Sequence, residues 1–154
     1  MDHGITSGTG IAPSIVDSAA PAAAIRFTVA ARPDSIGMTR NVVGALAEWL
    51  RLPQGVVEDV RLAVTEAVTN VVRHAYLDRE GAVEIAVSPT GERLEIEVRD
   101  TGRGMQPNPQ GGPGLGLPLI GALAETFEIV GREQGGCLLR MSFPARTGRF
   151  QRTA

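Results

Sequence analysis

The segment from residue 54 to about residue 76 constrains the fold most, because its apolar side chains recur at the spacing of an α-helix. A helix of this length buries its apolar face against a second layer of structure. The predicted buried face comprises Val57, Val60, Ala63, Val64, Ala67, Val68, Val71 and Ala75, and the opposite face carries Glu58, Arg61, Thr65 and Thr69. One edge of the apolar face carries Asp59, Glu66, Asn70 and His74. Polar groups at such an edge are hydrogen-bonded or used by a ligand.

Strands and further helices are predicted on both sides of this helix. Alternating apolar residues predict strands over 25–29, 83–87, 94–98, about 126–130 and 137–143, with turns at Pro89-Thr90-Gly91 and at 131–136. Asp34 is expected to cap a helix that runs to about Leu52, and a short helix is expected from about Leu115 to Glu125. These elements predict a two-layer α/β sandwich, with a mostly antiparallel sheet and helices on one face.

Composition narrows the class of protein. A chain of 154 residues with 43% hydrophobic content builds one core, and a formal charge of -2 offers no basic field for nucleic acid. Cys137 is the single cysteine, which excludes an intrachain disulfide and a cysteine metal cluster. Neither a signal peptide nor an apolar run of membrane length is recognisable, so we expect a cytoplasmic protein. We expect a flexible tail over 1–23, one domain over 24–146 and a short tail over 147–154.

Glu66 and Asn70 lie one turn apart on the same side of the predicted helix. A Mg²⁺ ion prefers oxygen ligands and keeps waters and phosphate oxygens for most of its coordination. Asn70 offers one such oxygen, which leaves Glu66 free to orient or deprotonate an attacking hydroxyl. Taken alone, this pair fits an ordinary solvated helix edge better.

The segment from Asp100 to Met105 reads D-T-G-R-G-M and follows a predicted strand directly. A carboxylate at a strand end can accept a hydrogen bond from the exocyclic amine of adenine, and glycines let a flat base approach the backbone. A charged turn without a ligand explains this segment equally well when it is taken alone.

The segment from Gly111 to Leu117 reads G-G-P-G-L-G-L and opens the next predicted helix. Backbone N–H groups at a glycine-rich helix start can hold phosphate oxygens. The segment matches neither the G-x-x-x-x-G-K-[ST] phosphate loop nor the G-x-G-x-x-G dinucleotide fingerprint, and this excludes those two folds. Taken alone, this segment is better explained as a glycine hinge without a ligand than as a phosphate-binding segment.

The three segments in this order resemble the nucleotide-binding boxes of the ATPase superfamily shared by gyrase, MutL and sensor histidine kinases. They read E-x-x-x-N on a helix, D-x-G-x-G after a strand, and G-x-G-x-G at the next helix. Three features are similar to those of the anti-sigma-factor serine kinases of bacterial stress and sporulation control. They are the compact size, the short glycine-rich segment that would form a lid over the nucleotide, and the run E-A-V-T-N-V-V-R-H-A-Y from Glu66 to Tyr76. The resemblance covers about residues 25–145.

This resemblance implies ATP and Mg²⁺ as cofactors. It implies Glu66 as the general base, Asn70 as the magnesium ligand and Asp100 as the acid that reads adenine. Other nucleotide contacts would come from Arg73, His74, Gly102, Gly104, Met105, Gly112, Gly114, Leu115 and Gly116. A local hydrogen bond at the helix end explains His74 equally well, and Arg103 is either a phosphate contact or a solvated loop side chain. The implied partners are a sigma factor and a small anti-sigma antagonist, and the implied assembly is a homodimer.

One residue and one stretch of the sequence depart from the family pattern. Cys137 stands where the family generally carries a threonine that helps to hold the adenine-site water and carboxylate, and a thiol is a weaker donor. The stretch between Gly104 and Gly112 is short and contains Pro107 and Pro109, a difference that bears on closure of the lid.

Three functions remain open from the sequence. The first is a kinase that transfers the γ-phosphoryl group of ATP to a serine of a partner protein. The second is a non-catalytic module that binds ATP as a structural ligand and holds a sigma factor. The third is a detached sensor-kinase domain, which is the least favoured because residues 1–24 carry no heptad pattern.

Overall fold

The structure, a computed structural model, describes residues 24–104 and 116–145. The predicted tails over 1–23 and 147–154 lie outside these residues. Four of the predicted nucleotide contacts also lie outside them, namely Met105, Gly112, Gly114 and Leu115.

Five strands and three helices make up the described fold. In chain order they are β1 (Ile25–Ala30), α1 (Pro33–Trp49), α2 (Gln54–His74), β2 (Ala82–Thr90), β3 (Arg93–Asp100), α3 (Gly116–Leu123), β4 (Thr126–Gly131) and β5 (Cys137–Pro144). The sheet has the strand order β1-β2-β3-β5-β4, and every neighbouring pair is antiparallel. The predicted two-layer α/β architecture with an antiparallel sheet is therefore confirmed.

The core lies between the helices and one face of the sheet. All eight residues of the predicted apolar face of α2 are buried, with at most 8% of the residue exposed. They join one cluster with the inward-facing residues of the strands, among them Ile85, Leu94, Ile96 and Phe143. Burial of one such side chain stabilises the fold by roughly 1.5–3 kcal/mol. The core therefore fixes the rotation of α2, and with it the direction of its polar edge.

The other face of the sheet carries charged side chains in ion pairs. Glu97 pairs with both Arg99 and Arg140, and Arg99 also pairs with Glu84. These side chains are between a quarter and about half exposed, and such pairs contribute little to stability in water. This face is therefore the solvated side of the sheet.

The prediction that Asp34 caps α1 is wrong. The helix begins at Pro33, and Arg32 occupies the capping position with extended backbone and no side-chain hydrogen bond. Proline suits the first helical position because it lacks the N–H group that would have no partner there. Asp34 lies in the first turn, where the helix dipole favours a negative charge. At the other end α1 stops at Trp49, before the predicted Leu52.

The predicted turn between β2 and β3 is displaced. Pro89 and Thr90 belong to β2, where they pair with Leu94 and Arg93, so the turn consists of residues 91–92. Gly91 supplies the positive φ of 53° that a tight hairpin requires.

The ends of two helices also differ from the predicted bounds. Helix α2 ends at His74 instead of about residue 76. Helix α3 ends at Leu123 instead of Glu125, because the Glu125 N–H donates to the Ser142 carbonyl of β5. Within residues 24–104 and 116–145, no helix has the length and hydropathy needed to cross a bilayer.

Candidate functional site

The polar edge of α2 faces the first residue of α3. A methyl group added to Gly116 would lie 2.7 Å from Glu66 Oε2 and 3.6 Å from Asn70 Nδ2. Glycine therefore lets the backbone at the start of α3 come close to the Glu66 carboxylate, and the Asn70 amide lies at ordinary contact distance from the same position. The fold thus brings Gly116 of the third sequence segment beside Glu66 and Asn70 of the first.

The Asn70 side chain lies beside the start of α3. Its Nδ2 atom is buried and has no hydrogen-bond partner in the described part of the protein. A buried polar group without a partner costs about 1–3 kcal/mol. Because rotation of the amide exchanges its nitrogen and oxygen, this position can present either a donor to a phosphate oxygen or an oxygen to a hard cation. The residue therefore fits the magnesium and phosphate side of a nucleotide.

Arg73 and His74 lie in the last turn of α2, beyond Asn70, and both are exposed. The main-chain carbonyl of His74 accepts a hydrogen bond of 2.8 Å from Arg103 Nε. The Arg103 side chain therefore contacts the end of α2. Phosphate contacts by Arg73 and His74 stay predictions from the family resemblance.

Asp100 is the last residue of β3 and is only 5% exposed. Its Oδ1 atom accepts the Gly102 N–H at 2.8 Å, and the backbone N–H of Cys137 also favours the charged form of the carboxylate. Burial raises the pKa of Asp100, while the two N–H donors and the positive charge of Arg132 act in the opposite direction. The Gly102 N–H therefore helps to fix the orientation of the carboxylate.

Two glycines allow the backbone to close around Asp100. A methyl group on Gly102 would overlap the carbonyl oxygen of Ala75 at the end of α2, and one on Gly136 would overlap the Asp100 carbonyl oxygen. Gly136 also has a φ of 90°, which side chains other than glycine rarely adopt. Residues 100–104 of the second sequence segment are therefore packed between the end of α2 and the turn that connects β4 to β5.

Cys137 begins β5 beside Asp100 and is half-buried. Burial and the charge of Asp100 both raise the pKa of its thiol, so the thiol stays protonated at neutral pH. The position thus has a donor near the carboxylate, but a weak one.

Sequence reasoning assigned no role to Tyr76, Arg79, Thr101 and Arg132. Tyr76 and Arg79 both hydrogen-bond to Thr101, and Arg132 acts electrostatically on Asp100. A hydroxyl-bearing aromatic residue directly after the end of α2 was a visible signal for Tyr76. The contacts of the other three depend on the fold.

Comparisons with a family model and with individual known proteins indicate the same family. Residues 29–143 match the model described as the histidine kinase-like ATPase domain. The serine-protein kinase RsbW of Halalkalibacterium halodurans is 33% identical over 77% of this chain and 81% of its own length. The RsbW kinase of Oceanobacillus iheyensis is 30% identical over 77% of this chain and 84% of its own length.

A solved structure supports the same assignment. The crystal structure of the RsbU and RsbW domains of a Mycobacterium tuberculosis protein matches with a TM-score of 0.59 and 26% identity. The match covers 82% of this chain and 34% of that longer one. Together with the family model and the kinases above, it shows that the chain belongs to the histidine kinase-like ATPase family, among its RsbW-type serine-protein kinases.

Proposed function

We propose that the protein is an ATP-dependent serine kinase of the anti-sigma type. It phosphorylates a small antagonist protein, sequesters a sigma factor, or does both. The observation that carries the proposal is the contact between the start of α3 and the pair Glu66 and Asn70 on α2. The RsbW kinases to which the chain is similar support the same activity.

Bound Mg-ATP would supply the phosphoryl group and a metal ion that neutralises charge on the phosphates. Asn70 would hold the metal, because its buried amide nitrogen has no hydrogen-bond partner among the described residues and rotation of the amide puts the oxygen in its place. The backbone at Gly116 would face the phosphates, where the start of a helix favours negative charge. In this proposal the triphosphate lies between α2 and α3.

Glu66 would act on the serine of the protein substrate. It is half-buried on α2 and lies beside the start of α3, so its carboxylate faces the same space as Asn70. As the serine oxygen forms its bond to the γ-phosphorus, the bond from that phosphorus to the bridging oxygen would break, with ADP as the leaving group, and Glu66 would take the hydroxyl proton. A carboxylate at this place favours the kinase over a module that only binds nucleotide.

Asp100 would recognise the base. Its carboxylate keeps acceptor capacity beyond the backbone donor of Gly102, since an ionised carboxylate has about four lone-pair positions. The exocyclic amine of adenine can use one of them, whereas the carbonyl oxygen at the same place in guanine cannot. This difference would select ATP over GTP.

The kinase activity can be tested directly. The full chain would be incubated with Mg-ATP and each protein encoded beside its gene, and the products measured by intact mass. A gain of one phosphate on a neighbouring protein, dependent on ATP, is expected. If no neighbour gains phosphate but one binds tightly in the presence of nucleotide, the non-catalytic module is the better description.

Asn70→Ala is expected to remove the magnesium dependence of nucleotide affinity. The substitution deletes the proposed metal ligand, and the fold should persist because the amide nitrogen makes no hydrogen bond in the described structure that would be lost. The measurement is calorimetric titration with and without magnesium. Asn41→Ala is the matched control, because Asn41 is an exposed helical asparagine on α1. Magnesium coupling equal to that of the parent would show that Asn70 is not the ligand.

Cys137→Thr is expected to strengthen ATP binding by about two- to fivefold, the effect of gaining one ordinary hydrogen bond. A hydroxyl donates more strongly than the protonated thiol that lies beside Asp100. Cys137→Val is the control, since valine has the shape of threonine without the hydroxyl. An equal gain in both variants, measured by the ATP dissociation constant, would assign the effect to packing.

We further propose a cytoplasmic homodimer, as the family resemblance implies. Light scattering of the purified chain measures the assembly, and a monomer at micromolar concentration would contradict it. Fractionation of cells that express the tagged chain tests its location.

A further inference from the structure

The Tyr76 side chain links the end of α2 to the segment after β3. Its ring packs against Gly81, where an added methyl group would overlap the ring. Its hydroxyl lies 2.8 Å from the Ala82 carbonyl oxygen and 2.9 Å from the Thr101 backbone nitrogen. A phenol has one proton to donate, so Tyr76 donates to Ala82 and accepts the Thr101 N–H.

This hydroxyl takes the place of a rung in the β2–β3 ladder. The ladder ends with Val83 opposite Asp100, so Ala82 and Thr101 would form the next pair. The Tyr76 hydroxyl bridges the backbone of those two residues instead. The chain can therefore turn away from the sheet after Asp100 while the Thr101 N–H keeps a partner.

Arg79 holds the next peptide group. The centre of its guanidinium lies 5.4 Å from the centroid of the Tyr76 ring, and its Nη2 donates to the Thr101 carbonyl at 3.1 Å. That carbonyl belongs to the same peptide plane as the Gly102 N–H, which donates to Asp100 Oδ1 at 2.8 Å. Tyr76 and Arg79 together therefore fix the two peptide planes that follow Asp100.

From this geometry we propose that Tyr76 is a positioning residue for base recognition, because its hydroxyl, together with Arg79, sets the direction of the Asp100 carboxylate. The proposal rests on the proposed function, in which that carboxylate accepts a hydrogen bond from adenine. Tyr76 acts through the backbone around Thr101 and not by touching the nucleotide. It joins the base-reading carboxylate to α2, the helix that carries Asn70.

The test variant is Tyr76→Phe, which keeps the ring against Gly81 and under Arg79 and removes only the hydroxyl. Without nucleotide, hydrogen exchange at the Thr101 and Gly102 amides is expected to speed up by about five- to tenfold, the effect of one lost hydrogen bond. With nucleotide, the ratio of the GTP to the ATP dissociation constant should fall by about the same factor. The magnesium dependence of binding should not change, because the phosphate side is untouched.

Thr126→Val is the matched control. It removes a hydroxyl that lies 2.6 Å from Ser142 Oγ, in a hydrogen bond between β4 and β5 that is remote in sequence from the Asp100 segment. A merely structural role for Tyr76 would lower the unfolding temperature in both variants and leave nucleotide selectivity unchanged in both. Arg79→Gln is the second test variant and should lower the same ratio, so the proposal stays testable if Tyr76→Phe does not fold.

Two results would overturn the proposal. One is unchanged exchange at Thr101 and Gly102 in Tyr76→Phe. The other is faster exchange with an unchanged ratio of dissociation constants. A parent that binds ATP no better than GTP would instead refute base reading by Asp100, and with it that part of the proposed function. In that case the exchange experiment still decides whether Tyr76 orders the turn.

Discussion

Glu66→Gln is expected to lower the rate of phosphoryl transfer by roughly 10²–10⁴-fold, the usual contribution of a general base. Glutamine keeps the shape of the side chain and much of its hydrogen bonding, but it cannot accept the serine proton. Nucleotide affinity should stay near that of the parent, because the substitution leaves Asn70 and the backbone at Gly116 in place. The measurement is single-turnover phosphorylation of the antagonist, with the ATP dissociation constant measured on the same preparation.

Glu58→Gln is the control for the loss of a charge on α2. Glu58 is exposed on the side of the helix away from the apolar face, where it accepts a hydrogen bond from Gln54. The Glu58→Gln substitution should leave the rate of phosphoryl transfer unchanged. The retention of a sigma factor provides the second readout, and Glu66→Gln should keep it nearly intact. Undiminished transfer in Glu66→Gln would remove Glu66 from the role of base.

Asp100→Asn should weaken ATP binding by about ten- to hundredfold, the range for loss of a hydrogen bond to a charged group. GTP binding should change much less, since guanine has no amine at that place. The fold should survive, because burial already disfavours the charged form of Asp100, and asparagine carries no charge. Titration of both nucleotides into both proteins measures the difference.

The control for this substitution is Asp34→Asn, on the exposed first turn of α1. It removes the same charge far along the chain from the base site and should leave the preference for ATP as it is in the parent. Equal losses of ATP and GTP affinity in Asp100→Asn would contradict base reading and point to a general role in holding the surrounding turn.

The sequence predicted the elements whose pattern repeats over many residues. The apolar face of α2 was predicted completely, because each added turn repeats the same evidence for its rotation. The strand that ends at Asp100 was predicted for a related reason, since alternation stops where the chain leaves the sheet. Contact between Glu66 and the glycine-rich segment followed only from the family resemblance, because periodicity alone does not say which elements meet.

The misplaced ends have local causes. Asp34 is a common capping residue, but Pro33 just before it satisfies the first helical position and moves the cap to Arg32. Proline is typical of turns, yet a strand tolerates it at a position where no backbone N–H has to donate to the neighbouring strand, and Pro89 is such a case. The bridge from Tyr76 to Thr101 spans a separation of 25 residues and depends on the final register of β2 and β3, so no local pattern predicts it.

Helix α2 has one face in the core and one edge at the site, and this limits how the protein can change over time. A mutation that loosens the buried face also turns Glu66 and Asn70, so selection on folding and selection on chemistry act on the same residues. The residues on the solvated ion-pair face of the sheet serve neither the core nor the site, and their substitution changes the free energy of unfolding little. Lineages of this domain should therefore diverge fastest on the outer sheet and slowest along α2.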